Sequence, residues 1–322
     1  MNSDRMDMLL CELNARKVQI ARHVSFLKDF GKAKKYGDEK VLSVEGGRSL
    51  LIEAIQSEKP FMAARFGTSE GAALYEFWKR KIWGGNYNLK YLDQVCTLSG
   101  FFPNNIDSLY EWGDLETSAC ADLDLLGCMN FVGEEWIYKR FCSQARLMPA
   151  GGLSSSSKGW AWSLEGKKVL VIHPFVDTIE KQYKTNREKI FPGTNALPVF
   201  DLKCVKAVQT ISDATDDRFA SWFEALDYMT DEASKQDFQI ALIGCGAYGF
   251  PLASRIKKMG KTAIHMGGSL QTLFGIKGSR WDGKYGAMYN EAWVYPSEKE
   301  TPAGFEKVEG GCYWEKGKSV GG

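Results

Sequence analysis

The sequence predicts an α/β fold of Rossmann-like type: a mostly parallel sheet with helices on both faces, a helical N-terminal extension and an irregular C-terminal tail. Two observations carry this. From Gly46 to about residue 280, short apolar runs alternate with amphipathic stretches, the pattern of strands joined by crossover helices. The run FQIALIGCGAYGFPLASRIKKMGKTAIHMGG, residues 238–268, then presents strand, glycine loop, helix and strand as one unit. With 322 residues, 44% of them hydrophobic, the chain can bury a sizeable core. We divide it into an extension (1–45), a Rossmann-like domain (46–280) and a wrapping tail (281–322).

In order, residues 5 to about 30 read as a helix, with Leu9, Leu13, Ile20, Val24 and Leu27 on one stripe. The stripe is expected to pack on the body; a homodimer seam and peripheral membrane association are the alternatives. FGKAKKYGDEK reads as a loop. GRSLLIEAIQSEK is a helix, PFMAARFG a strand and TSEGAALYEFWKRK a helix. Residues 105–145 are mostly helical in pattern, and AGGLSSSSKGW is the strongest loop. KKVLVIHPF is a strand, VDTIEKQYKTNREKIF a helix, ALPVFDLKCV contains a strand, and DDRFASWFEALDYMTDEASKQ is a helix leading into the glycine unit.

Composition excludes several classes. A net charge of +1, from 41 basic and 40 acidic residues, gives no reason to expect nucleic acid as a partner. Eight cysteines without a CxxC pair and only three histidines argue against a zinc site. There is no secretory leader and no apolar stretch near the ~20 residues of a membrane span, so a reduced, cytoplasmic protein is expected.

Gly244-x-Gly246-x-x-Gly249 has dinucleotide-fingerprint spacing, in which glycines let backbone approach phosphate at a helix start. No Asp or Glu occurs between Pro251 and Trp281, so the acid that would hold a ribose hydroxyl after the next strand is missing. NAD and methyl-donor chemistry are therefore disfavoured. His173 and His265 each end a strand, at the edge where open parallel sheets bind ligands; His173 would donate to a diphosphate or carry a proton. Arg65-Phe66-Gly67-Thr68-Ser69-Glu70 repeats the theme, Thr68 placed to cap the next helix and Glu70 in its first turn. Arg65 would meet phosphate, and Glu70 a metal or sugar hydroxyl. Asp114/Glu116 and Asp122/Asp124 are read as solvated acids, with Asp124 alone a candidate to reach the site. Cys245 is read as filler in a tight turn. Trp160, Trp162, Trp281 and Trp293 suit sugar stacking or a core.

Together RFGTSE and ALIGCGAYGFPLASRIKKMGKTAIHMGG resemble the GT-D-type glycosyltransferases, over about Lys59 to Gly268. HPFVDTIEKQY, LPVFDLK, GGSLQTLFGIKGSRW and VEGGCYW also resemble bacterial proteins of surface-polysaccharide gene clusters. The resemblance implies a nucleotide-sugar donor, a glycan acceptor and a divalent metal, Mn²⁺ or Mg²⁺, on an Asp-x-Glu pair. Here Thr68-Ser69-Glu70 keeps the Glu and loses the Asp, and a hydroxyl is a weak ligand for either ion. Arg65, His173 or Lys184 would then neutralise the leaving diphosphate. By this analogy Gly67, Thr68, Gly244, Gly246, Tyr248, His265, Gly267 and Gly268 shape the donor pocket, and Gln271 hydrogen-bonds sugar or base. Glu70 or Asp201, just after LPVF, would activate the acceptor hydroxyl or bind the metal. The expected function is nucleotide-sugar-dependent glycosyl transfer in capsule or O-antigen assembly; a non-catalytic nucleotide- or glycan-binding accessory protein is the alternative.

Overall fold

The structure, a computed structural model, describes residues 3–23, 35–154 and 159–315. The chain opens with α1 (Ser3–His23) and a two-stranded hairpin, β1 (Lys35–Tyr36) and β2 (Glu39–Lys40). The first half of the main sheet follows as α2 (Val44–Ser57), β3 (Phe61–Ala64), α3 (Thr68–Trp83), α4 (Leu89–Ser99), α5 (Ile106–Ala119), β4 (Leu125–Cys128), α6 (Glu134–Phe141) and β5 (Arg146–Pro149). The second half is β6 (Lys168–His173), α7 (Val176–Ile190), β7 (Asp201–Lys206), α8 (Trp222–Ser234), β8 (Ile240–Ile243), α9 (Gly249–Lys258) and β9 (Thr262–His265). Short helices α10 (Leu270–Leu273) and α11 (Asp282–Tyr285) punctuate a tail of tight turns.

Seven strands form one parallel sheet in the order β5-β4-β3-β9-β8-β6-β7. Alternation along each strand feeds two cores. Leu170, Ile172, Ala241 and Ile243 face the layer of α3, α4, α5, α8 and α9. Val169, Val171, Ile240 and Leu242 face α2, α7 and the tail. Such double burial explains why these strands are continuous apolar runs. The two halves of the sheet meet at β3 and β9, and a crevice is expected outside the carboxyl ends of strands at such a switch point.

Three readings of the sequence are corrected. Residues 105–145 contain a strand, β4, and a second one, β5, begins immediately after them. Their sequences, LLGC and RLMP, have no β-branched residue, so only pairing with β3 and with each other selects the extended form. The loop expected around residue 35 is a hairpin. On α1 the residues turned inward are Met8 and Cys11, whereas Leu13 and Ile20 are exposed. Glu12 decides the rotation: its carboxylate pairs with Lys79 at 2.9 Å and accepts from Tyr75 Oη at 3.0 Å, both on α3. Val24 and Leu27 of that stripe lie outside the described residues.

The tail is anchored by buried polar side chains. Gln182 of α7 donates to Ala292 O at 2.7 Å. The Glu300 carboxylate accepts from Thr178 N at 3.0 Å and Ser297 Oγ at 2.7 Å. Gln271 Nε2 donates to Lys277 O at 2.8 Å and Tyr313 O at 3.2 Å. Among the described residues no helix is long and apolar enough to cross a membrane, and all eight cysteines are free thiols.

Candidate functional site

Four strands end at one place. Arg65 follows β3, His173 closes β6, Gly244 follows β8 and Met266-Gly267 follow β9. Together they border a cavity of about 670 Å³, within the range typical of small-ligand sites. Gly67, Thr68 and Glu70 line it from the first loop; Gly246 and Tyr248 from the glycine loop; His265, Gly268 and Gln271 from the last.

The loops approach so closely that glycine is required where they meet. A methyl group on Gly244 would lie 2.7 Å from Gly267 O and 2.8 Å from the His173 ring. On Gly249 it would stand 2.0 Å from His265 Cε1, and on Gly267, at φ +60°, 1.9 Å from an Arg65 nitrogen. The third glycine of the fingerprint thus makes room for an imidazole.

Both histidines are buried, and burial pushes each imidazole down to about 3, for His265 with help from the nearby Arg65 charge. Phe175 N donates to His173 Nδ1 at 3.0 Å, so the neutral ring carries its proton on Nε2. His173 is therefore a hydrogen-bond donor through Nε2 at neutral pH. His265 Nδ1 lies 3.3 Å from Ile243 O, which favours the opposite tautomer. Because the unfolded imidazoles ionise near ~6.5, the unfolded chain binds more protons than the native one between that pH and about 3. Stability supplied by the neutral rings is present above ~6.5 and is lost as pH falls through this window. Urea unfolding from about pH 8 to about pH 4 should show it, and His173→Gln should flatten the acid limb; an unchanged slope contradicts the assignment.

Glu70 accepts from Ser69 Oγ at 2.8 Å, and Ser69 Oγ is also 2.8 Å from Ser99 Oγ. Helix α3 is capped by Gly67 without a side-chain bond, so Thr68 is its first residue and not its cap. Among the described residues no three of His, Cys, Asp and Glu stand close enough to hold an ion. One carboxylate among hydroxyls does not fit the divalent metal expected above. Cys245 is buried and its thiol is pushed up by burial, which leaves it without thiolate character.

Other candidates fall elsewhere. Asp201 begins β7 at the amino edge of the sheet and pairs with Lys203 at 3.3 Å; the strand follows this residue where the sequence suggested it preceded. Asp124 lies at the same edge, accepting from Met62 N at 2.8 Å and pairing with Lys257 at 2.6 Å. Lys184 is exposed on α7 and does not border the cavity. Glu116, expected to be solvated, is buried, and desolvation holds it well above the usual carboxylate range. Of the four tryptophans, only Trp281 lines the cavity.

The sequence reading missed the roof. Arg280, Lys284, Glu309 and Tyr313 reach the cavity from the tail, where no periodic pattern announces an element. Counting charged lining residues gives Arg65, Arg280 and Lys284 against Glu70 and Glu309, an excess of one positive charge with both imidazoles neutral.

No described protein family matches the chain, and no curated protein matches it. Among solved structures, one titled "Selenomethionine substituted structure of domain of unknown function 1792 (DUF1792)" is similar over 89% of this chain and 94% of that chain, at 14% identity and a TM-score of 0.41. That title assigns no function, and a likeness this loose carries none to this chain.

Proposed function

We propose that the protein is a nucleotide-sugar-dependent glycosyltransferase acting on a glycan acceptor. The observation that supports it most is the meeting of Arg65, His173 and Tyr248 at one cavity on the carboxyl edge of the sheet. Arg65 offers a charged fork to phosphate oxygens, and His173 a neutral N–H. Main-chain groups of the glycine loop stand where a diphosphate would lie. In the transfer step the acceptor oxygen bonds to the anomeric carbon, and the bond from that carbon to the diphosphate oxygen breaks with its electron pair passing to the diphosphate. The acceptor proton goes to the Glu70 carboxylate, the one acid in the first loop of the cavity. The motif resemblance extends this reading to bacterial surface-polysaccharide assembly, and eight unbridged cysteines suit a reducing, cytoplasmic setting.

The test is to incubate purified protein with UDP- and GDP-sugars, with and without Mn²⁺, and follow donor hydrolysis and thermal stability together. Turnover of a donor supports the enzyme. Stabilisation without turnover supports the second reading, a non-catalytic nucleotide- or glycan-binding accessory protein, which the missing metal pair favours. If no nucleotide raises the melting temperature, the transferase reading and the nucleotide-binding form of the second both fail, and only stabilisation by a glycan would keep the accessory reading.

A further inference from the structure

The cavity roof carries an ion pair that the transfer chemistry above does not use. Arg280 Nη1 donates to Tyr313 Oη at 2.6 Å, and its Nη2 pairs with the Glu309 carboxylate. Glu309 is held at φ +51°, a left-handed backbone that non-glycine residues adopt at a cost and that clusters at ligand clamps. Tyr313 is packed against the β9 loop, where a methyl group on Gly268 would lie 2.3 Å from its ring. Its hydroxyl therefore ties Arg280 to the loop that also carries the Arg65 contact, since Arg65 Nε donates to Met266 O at 3.4 Å. Lys284 lies one turn beyond Arg280, with its ammonium 4.7 Å from the Tyr285 ring. Three cations thus surround a space bordered by a single first-loop carboxylate, and the donor set for a metal is incomplete.

We propose that the leaving diphosphate is held and neutralised by side chains alone, Arg65 from the sheet edge with Arg280 and Lys284 from the tail, and that Glu309 is the resident counter-ion of Arg280, displaced by the incoming diphosphate. This rests on the reading of the cavity as a nucleoside-diphosphate site. The exchange is one anion for another: Arg280 gives up a carboxylate that sits at a strained backbone position and gains phosphate oxygens in the geometry its fork matches. Before the ligand arrives the paired Glu309 carboxylate keeps the guanidinium oriented, and it makes the site selective for an anion able to outcompete it. The tail is then part of the active site.

Calorimetric titration of the full chain with UDP and GDP, and with uridine and guanosine, in EDTA and then in Mn²⁺, tests this. At least one diphosphate should bind in EDTA with an affinity that Mn²⁺ changes less than about threefold. Arg280→Gln combined with Lys284→Gln should weaken that diphosphate by about 50-fold while leaving the matching nucleoside unchanged. Glu309→Gln should tighten it about fivefold, because the competitor has gone. Arg280→Lys, which keeps the charge, should recover part of the loss and controls for a tail that has merely come loose. A diphosphate that binds only with Mn²⁺, a double variant that binds like the parent, or a Glu309→Gln variant that binds more weakly overturns the inference while leaving the transferase reading intact. If neither UDP nor GDP binds under any condition, the transferase reading fails first and takes the inference with it.

Discussion

Arg65→Gln is expected to weaken binding of the nucleoside diphosphate by about 100-fold with almost no loss of stability. The two halves of that expectation have separate causes. In the protein alone, Arg65 gives long hydrogen bonds to Met266 O at 3.4 Å and Phe66 O at 3.3 Å, and such bonds contribute little. A fold that spends an arginine on two weak main-chain contacts loses little when the charge is removed. Towards a diphosphate the same guanidinium makes charge-assisted bonds in a cavity partly shielded from water, worth together about 2.7 kcal/mol. Calorimetry and thermal melting on one preparation separate the effects. An unchanged affinity, or a melting temperature lowered by more than about 5 °C, would mean that Arg65 is a structural residue.

Trp222→Ala should cost about 3–5 kcal/mol of folding free energy. Trp222 is fully buried at the start of α8, its ring stacked on Tyr248 at 5.0 Å and 7° and set edge-on to Phe223 at 5.3 Å. Phe101 completes the cluster at 5.8 Å. Its removal opens a large void beneath the glycine loop and leaves Tyr248 with one polar contact, the 3.3 Å approach of Thr210 Oγ1. Nucleotide affinity should fall as well, because Tyr248 lines the cavity. Trp222→Phe is expected to cost far less: it keeps an aromatic partner for Tyr248 and deletes an indole N–H that has no acceptor among the described residues. Urea denaturation of both variants checks the order, and equal losses would show that neither the aromatic partner nor the volume that phenylalanine retains supports the fold.

How much of this the sequence disclosed depended on whether local pattern or tertiary contact decides each segment. The unit from Ile240 to His265 was legible because strand, glycine loop and helix each carry their own signal. Arg65, His173 and the glycines were found as candidates because they sit directly after apolar runs, and the parallel sheet brings such positions to one edge. Strands β4 and β5 were hidden by leucine and methionine, which suit a helix equally well. Asp201 was misplaced because four apolar residues before it, Leu197 to Phe200, imitate a strand whose true start is Asp201 itself. Arg280, Lys284 and Glu309 were unreadable for a different reason: the tail owes its course to buried anchors such as Gln182, Gln271 and Glu300, and no periodicity records an anchor.

The floor of the cavity is keyed together pairwise. Gly67 leaves room for Glu70, Gly249 for His265, Gly267 for Arg65 and Gly244 for His173. Each small residue is the vacancy that a chemically active neighbour fills, so a glycine can gain a side chain only where its partner shrinks or moves, whereas shortening the partner leaves the glycine undisturbed. Redesign of this pocket should therefore enlarge a glycine only together with a smaller partner, while a partner can be shortened alone without disturbing the fold.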